Sequence, residues 1–385
     1  MRQLLRSKSF GIVTAIVAGS ILLAGLAALL APIDRTSMAP SSSRKVDDSD
    51  LANYAGDEAC RNCHPTAYAD HQASNHHKAL RTMNRDEMGA LCPAPGRIPN
   101  SPYSLAEREG KFYFDADVAS TPDKRQSWPL DYAFGSGKTG LTFVSMLDGK
   151  NIVELKMSYF PGDRTWKVTP GQTLDHPEYA GRTRDLNQSR RCFECHSIAI
   201  SRNAFTPRKT FMGAGCESCH GPARAHIEAI RSGSSNGHME RLGTLGAREL
   251  NARCGACHST QQDIAGTKSA ISAKMTYRFQ PYGIMQSRCF QESANKLSCL
   301  NCHNPHQNDA VSPAFYERAC LSCHSGTSAP PKTVRSSSTP GRVCPVNART
   351  DCIRCHMPKR DFKFATREKS GILMTEHKIA IYPAP

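Results

Sequence analysis

Cys299-Leu300-Asn301-Cys302-His303, followed at once by Asn304-Pro305-His306, is the stretch on which the reading of this chain turns. Two thiols three residues apart lie on one side of a helical turn, and a histidine comes directly after the second. The same C-x-x-C-H unit stands at Cys60/Cys63/His64, Cys192/Cys195/His196, Cys216/Cys219/His220, Cys254/Cys257/His258, Cys320/Cys323/His324 and Cys352/Cys355/His356. Fourteen of the 17 cysteines belong to these seven units, leaving Cys92, Cys289 and Cys344.

The spacing has a chemical cause. Thiols so placed can form thioethers with the two vinyl groups of haem, and the histidine is then held beneath the iron as its proximal ligand. Zinc ribbons pair C-x-x-C units without needing a histidine after each. Redox pairs of the thioredoxin kind come one to a βαβ unit, and a disulfide framework has no use for the histidines. The seven units therefore predict seven covalently bound c-type haems, each with its iron.

Composition points the same way. Of 385 residues 39% are hydrophobic, cysteines included, and only 7% are aromatic. That is thin for a side-chain core at this length, and seven macrocycles would supply the missing apolar surface. The 49 Lys+Arg against 34 Asp+Glu give a net charge of +15. Haem propionates offset most of the excess, leaving about +8 in the oxidised and about +1 in the reduced holoprotein. No nucleic-acid partner is needed to explain the basic balance.

Arg2, Arg6 and Lys8 precede a charge-free apolar stretch, residues 10–31, long enough to span a bilayer. It exceeds a usual signal core, and Pro32 and Pro40 spoil the small-residue cleavage sites near its end. We read residues 1–31 as an N-terminal membrane anchor, with a cleaved signal sequence as the alternative. Either way the remainder is exported to the periplasmic side of the inner membrane, anchored there or soluble. Residues 32–53 read as a flexible, solvated linker.

The gaps between successive units are 127, 19, 33, 40, 16 and 27 residues, so one haem stands apart and six crowd the C-terminal half. Residues 54–99 form a first haem segment, 100–185 a β-rich insertion and 186–385 a six-haem cytochrome domain. Within the insertion, Lys111–Asp115, Leu141–Leu147 and Lys150–Tyr159 are rich in β-branched and aromatic residues. Asp148-Gly149 between the last two is a hairpin signal. Its role is to cover the first or second haem, or to dock a partner. Gly135-Ser136-Gly137-Lys138-Thr139-Gly140 resembles a phosphate-binding loop, but Tyr132 stands where that loop needs glycine, so it reads as a turn entering a strand. The fold class expected is mainly α with extensive loops packed on haem, plus a small antiparallel β insertion between the first two units.

Eight histidines remain for the far sides of seven irons: His71, His76, His77, His176, His226, His238, His306 and His377. His226 and His306 follow their own motif histidines too closely to reach round the same iron, and would more naturally cap a neighbour. Methionine is the other available ligand. Cys289 and Cys344 could form a disulfide in an oxidising compartment, leaving Cys92 free.

At these residues the chain resembles the cytochrome c-552/4-type multihaem family, which includes c-554 and its relatives. The matching stretches are Tyr54 to Pro65 with Ser74, His76 and Ala79 behind them, Gly213 to Pro222 with His226, Ser287 to Phe290 ahead of Cys299 to His306, Cys352 to Pro358, and Thr375 to Ile379. The resemblance, over about residues 54–380, implies a haem-packed fold and the distal ligands His76, His226, His306 and His377. No tetratricopeptide segment follows, and no C-x-x-C-K unit occurs, which removes the lysine-ligated catalytic haem of the related nitrite reductases.

Three functions fit. One is an electron carrier relaying electrons through bis-His low-spin haems between redox partners in the periplasm or inner membrane. A second is an oxidoreductase acting on nitrogen or sulfur oxyanions or hydroxylamine at one open haem, with Arg190, Arg191 or Arg253 supplying charge. The third is a structural subunit of a membrane respiratory complex. The first accounts best for closely packed haems.

Overall fold

The computed structural model describes residues 49–117, 125–175, 180–201, 207–234, 239–259, 279–293, 296–309, 312–324, 343–347, 349–361 and 372–382. All belong to one compact unit, Ser42–Pro385. The apolar stretch 10–31, His176 and His238 lie outside the described residues. Among those described, no helix is long and apolar enough to cross a membrane.

The gap between the first two C-x-x-C-H units folds into two antiparallel sheets. The larger contains β1 (Leu80–Thr82), β6 (Tyr132–Phe134), β7 (Leu141–Met146), β8 (Ile152–Phe160), β9 (Thr165–Val168) and β10 (Gly181–Arg184). Its order is β1-β6-β7-β8-β10, with β9 also on β8. The smaller runs β2 (Gly96–Arg97), β3 (Tyr103–Arg108), β4 (Lys111–Asp117), β5 (Arg125–Pro129). The Asp148-Gly149 turn joins β7 to β8: the Asp148 carboxylate accepts the backbone N–H groups of Lys150 and Asn151, and Gly149 takes φ of 73°.

Period-two alternation in β7 sends its residues to two different cores. Leu141 and Phe143 join Tyr103, Phe112, Phe114 and Leu155 in a cluster between the sheets, against which Trp128 and Trp166 pack. Val144 faces the other way, with Leu80, Tyr132 and Ile152, onto Phe193. Phe193 lies between Cys192 and Cys195, on the helix Leu186–His196, and is fully buried. The sheet is thus the platform against which the second C-x-x-C-H unit is set. The Asp185 carboxylate caps that helix by accepting Gln188 N–H at 2.9 Å.

The expectation of a mainly α chain holds only in part. Helices and antiparallel sheets share the structure, and the largest buried side-chain cluster belongs to the sheets. The physical reason is local. A haem attachment site needs only a helical turn and packs on its macrocycle, whereas a long gap with no haem must bury a core of its own. A third, two-stranded sheet, β11 (Lys359–Asp361) with β12 (Leu373–Thr375), closes the C-terminal region.

Candidate functional site

Five of the seven motif histidines end an α-helix: Leu186–His196, Cys216–His220, Ala247–His258, Pro313–His324 and Cys352–His356. In the other two the first cysteine sits on a 3-10 turn, Asp57–Cys60 or Cys299–Asn301. None of the 17 cysteines forms a disulfide, so Cys289 and Cys344 are not joined.

Most of the motif rings are held by one nitrogen. Nδ1 of His196 donates to Ala79 O at 2.8 Å, that of His220 to Glu240 O at 3.0 Å, and that of His356 to Ala380 O at 3.0 Å. His303 Nδ1 donates to the Asp309 carboxylate at 3.0 Å. Among the remaining histidines, His76 Nδ1 donates to Pro305 O at 3.1 Å and His377 Nδ1 to Thr375 O at 3.0 Å. A carbonyl or carboxylate oxygen can only accept, so Nδ1 carries the proton and Nε2 keeps its lone pair. Burial also holds His196, His258 and His306 below the ordinary imidazole range and pushes His377 down to about 4. They are therefore neutral at pH 7, the form that binds a metal.

Four of these rings face a motif histidine from another part of the chain. Ring centres are 6.5 Å apart for His64 and His226, 6.1 Å for His220 and His306, 6.1 Å for His258 and His76, and 6.3 Å for His303 and His377. Two iron–nitrogen bonds of about 2 Å each, plus about 1.1 Å from each nitrogen to its ring centre, set two axial imidazoles about 6 Å apart. The spacing and the donors fit one haem iron between each pair. Among the described residues no imidazole faces His196 or His356 in this way. The Phe134 ring stands edge-on to His196 at 5.0 Å.

The thiols of different units also meet. The Cys60 thiol is a hydrogen-bonding neighbour of Cys216, Cys195 of Cys257, and Cys254 of Cys299. Cys320, pushed up to about 12 chiefly by burial, has Cys352 and Cys302 as electrostatic neighbours. With a haem attached at each unit, these contacts would bring the attachment points of separate haems close together.

Cys219 and Cys355 are exposed, as are Cys63 and Cys257. Cys323 is half-buried, with Ser322 Oγ 3.8 Å from its sulfur and Cys289 as an electrostatic neighbour. Cys216–His220 and Cys352–His356 are helices of five residues, little more than one turn, and in each the first thiol is half-buried and the second exposed.

Several residues that position the site carry no signal in the sequence. Glu217, inside the third unit, is fully buried; its carboxylate accepts Ala55 N–H at 2.9 Å, Gly56 N–H at 2.8 Å and Ala223 N–H at 2.7 Å. Asn251, also fully buried, accepts Cys299 N–H at 3.0 Å and donates to Leu297 O at 3.1 Å, joining the fourth unit to the fifth. The C-terminal tail is held by Ser287, which accepts Ile379 N–H at 2.8 Å. A Cβ at Gly283 would meet Lys378 N at 2.8 Å, so only glycine lets that helix lie against the backbone beside His377. Of the arginines weighed as substrate groups, Arg253 is paired with Glu240 at 2.6 Å and Arg191 is exposed.

Two stretches, residues 59–93 and 164–221, match the family model described as cytochrome c554 and c-prime; they contain the first three C-x-x-C-H units. No curated protein matches the chain. Among solved structures, the outer cell wall cytochrome OcwA superposes with a TM-score of 0.50 at 14% identity, over 85% of this chain and 79% of that one. At that identity the likeness is one of fold.

Proposed function

We propose that this chain, a multihaem cytochrome c, holds seven covalently bound haems and relays electrons among them and on to redox partners. The observation that carries the reading is the set of four facing imidazole pairs, His64/His226, His220/His306, His258/His76 and His303/His377. Bis-His ligation gives low-spin iron with no open position, suited to electron transfer and not to substrate binding. Each haem supplies a one-electron couple. The chain's own residues attach it and orient axial imidazoles through Nδ1. The thiol contacts Cys60–Cys216, Cys195–Cys257 and Cys254–Cys299 support short edge-to-edge transfers between haems one and three, two and four, and four and five. The exposed thiols Cys219 and Cys355 support exchange with partners at the third and seventh haems.

The reading places the protein in a respiratory chain outside the cytoplasm, on the periplasmic side and held by residues 10–31. The charge-free N-terminal stretch supports this, and an exported chain is in keeping with the likeness to an outer cell wall cytochrome. A pyridine haemochrome assay with intact-mass measurement tests the haem number, expected at seven per chain. EPR of the oxidised protein tests the ligation, with at least four low-spin ferric centres expected. Fewer than seven retained haems, or mostly high-spin iron, would overturn the proposal.

A second reading, an oxidoreductase at one open haem, draws support from His196, which has Phe134 beside it and no facing imidazole among the described residues. Carbon monoxide added to the reduced protein distinguishes the two: binding at one haem favours the enzyme, and no binding favours the carrier.

A further inference from the structure

Beside the His220/His306 pair, with the His71 ring edge-on to that of His306 at 6.5 Å, lies a group of side chains outside the C-x-x-C-H units and the four ring pairs. Asp57, His71 and His77 place one donor atom each within 4.8 Å of one another. His71 Nε2 is 3.9 Å and His77 Nδ1 3.4 Å from Asp57 Oδ2. Neither contact has hydrogen-bond geometry: Asp57 Oδ2 and both ring nitrogens of His71 are buried without a hydrogen-bond partner. His71 is 5% and Asp57 6% exposed.

Such an arrangement is costly as it stands. A buried carboxylate oxygen and two buried imidazole nitrogens with nothing to bind forfeit their hydration without return. The carboxylate is already aimed, because its other oxygen accepts Cys216 N–H at 2.8 Å. The third ring stands at the rim of the group: Gln72 Nε2 lies 3.4 Å from His77 Nδ1, a long contact that an ion on that nitrogen would replace. We infer that Asp57, His71 and His77 form a binding site for a divalent first-row transition ion of the zinc class.

Two imidazoles and one carboxylate suit zinc or its neighbours, and exclude calcium and magnesium, which take oxygen ligands. Zinc–ligand bonds of about 2 Å place neighbouring donors about 3.3 Å apart, so closing the site takes side-chain shifts of about 1 Å. Water or the Gln72 amide completes four-coordination. All three ligands come from the segment that carries the first haem unit, on the turn Asp57–Cys60, the helix Pro65–Ala73 and the turn His77–Ala79. The ion would therefore cross-link that segment to itself and, through Asp57, to the third unit at Cys216.

The test uses the full chain with its haems attached and the remaining thiols alkylated, so that free cysteines cannot compete. After dialysis against micromolar free zinc, elemental analysis should give one zinc per chain beyond haem iron. Absorption fine structure at the zinc edge should show two imidazoles and one oxygen from the chain. Asp57→Asn, His71→Leu and His77→Ala should each weaken binding at least tenfold with the haem content and Soret spectrum unchanged. Where His71→Leu does not retain its haems, His77→Ala, at the rim of the site, decides the matter. No retained zinc in the parent, or the same zinc content and affinity in the variants, overturns the inference.

Discussion

Asp309 stands 3.0 Å from His303 on one side and 3.0 Å from Lys138 on the other, linking a motif histidine to the glycine-rich turn of the β insertion. The hydrogen bond from His303 holds the Asp309 carboxyl far below its usual range, so it is an anion at every working pH. An anion accepting from Nδ1 makes the imidazole a stronger donor to iron and favours the ferric state. Asp309→Asn should therefore raise the potential of the fifth haem by about 60 mV, the one-electron equivalent of a tenfold change. Lys138→Ala should lower it by less. Potentiometric titration of the haem bands reads both.

His377→Ala should turn one haem from low-spin to high-spin or water-ligated and raise its potential. EPR of the oxidised variant and a redox titration check this, and spectra matching the parent would rule out a ligand role for the tail.

The pH dependence of the same residue has a definite sign. Burial is the main cause of the depressed pKa of His377, about 4. An unfolded chain protonates this histidine near 6.5, so its contribution to stability is complete above that pH and declines as pH falls towards 4. A low-spin to high-spin change on acidification, absent in His377→Ala, is the expected result, and iron on the same nitrogen moves it to lower pH than burial alone would.

Glu217→Ala should cost about 3 kcal/mol or more, because it leaves the buried N–H groups of Ala55, Gly56 and Ala223 without an acceptor. Glu217→Gln, which keeps one acceptor oxygen, should cost about half as much. Denaturant unfolding of the holoprotein measures both.

Phe193→Ala should cost about 3–5 kcal/mol by opening a cavity between the large sheet and the second attachment helix. The same variant should broaden the spectrum of the second haem, since its helix loses its seat on the sheet.

How far the sequence could be read depended on whether a feature is local. The attachment thiols and their histidines follow from spacing within five residues. Whether a thiol such as Cys219 or Cys355 ends at the surface does not, because that depends on how much chain packs over its turn. The β7–β8 hairpin follows from two alternating stretches and Asp148-Gly149 between them. The short strands Leu80–Thr82 and Gly181–Arg184 show no such pattern, because they are polar strands paired to hydrophobic neighbours, and partners distant in the chain supply the reason for their existence. The partner of each motif histidine is likewise a matter of chain return: nothing near His64 names His226. Glu217 occupies one of the two variable positions of its C-x-x-C-H unit, where a carboxylate is equally at home in solvent. Its burial depends on Ala55 and Gly56 arriving from the far end of the described chain.

The facing pairs also set a timetable for making the protein. On the proposed pairing, the first haem is attached at Cys60 and Cys63, yet its second axial ligand, His226, lies beyond two further attachment units. A chain delivered N-terminus first at ordinary synthesis speeds carries that haem uncapped for roughly ten to thirty seconds. During that interval the iron is a five-coordinate centre able to meet oxygen or peroxide. The maturation machinery must therefore shield a reactive intermediate that the finished protein no longer contains.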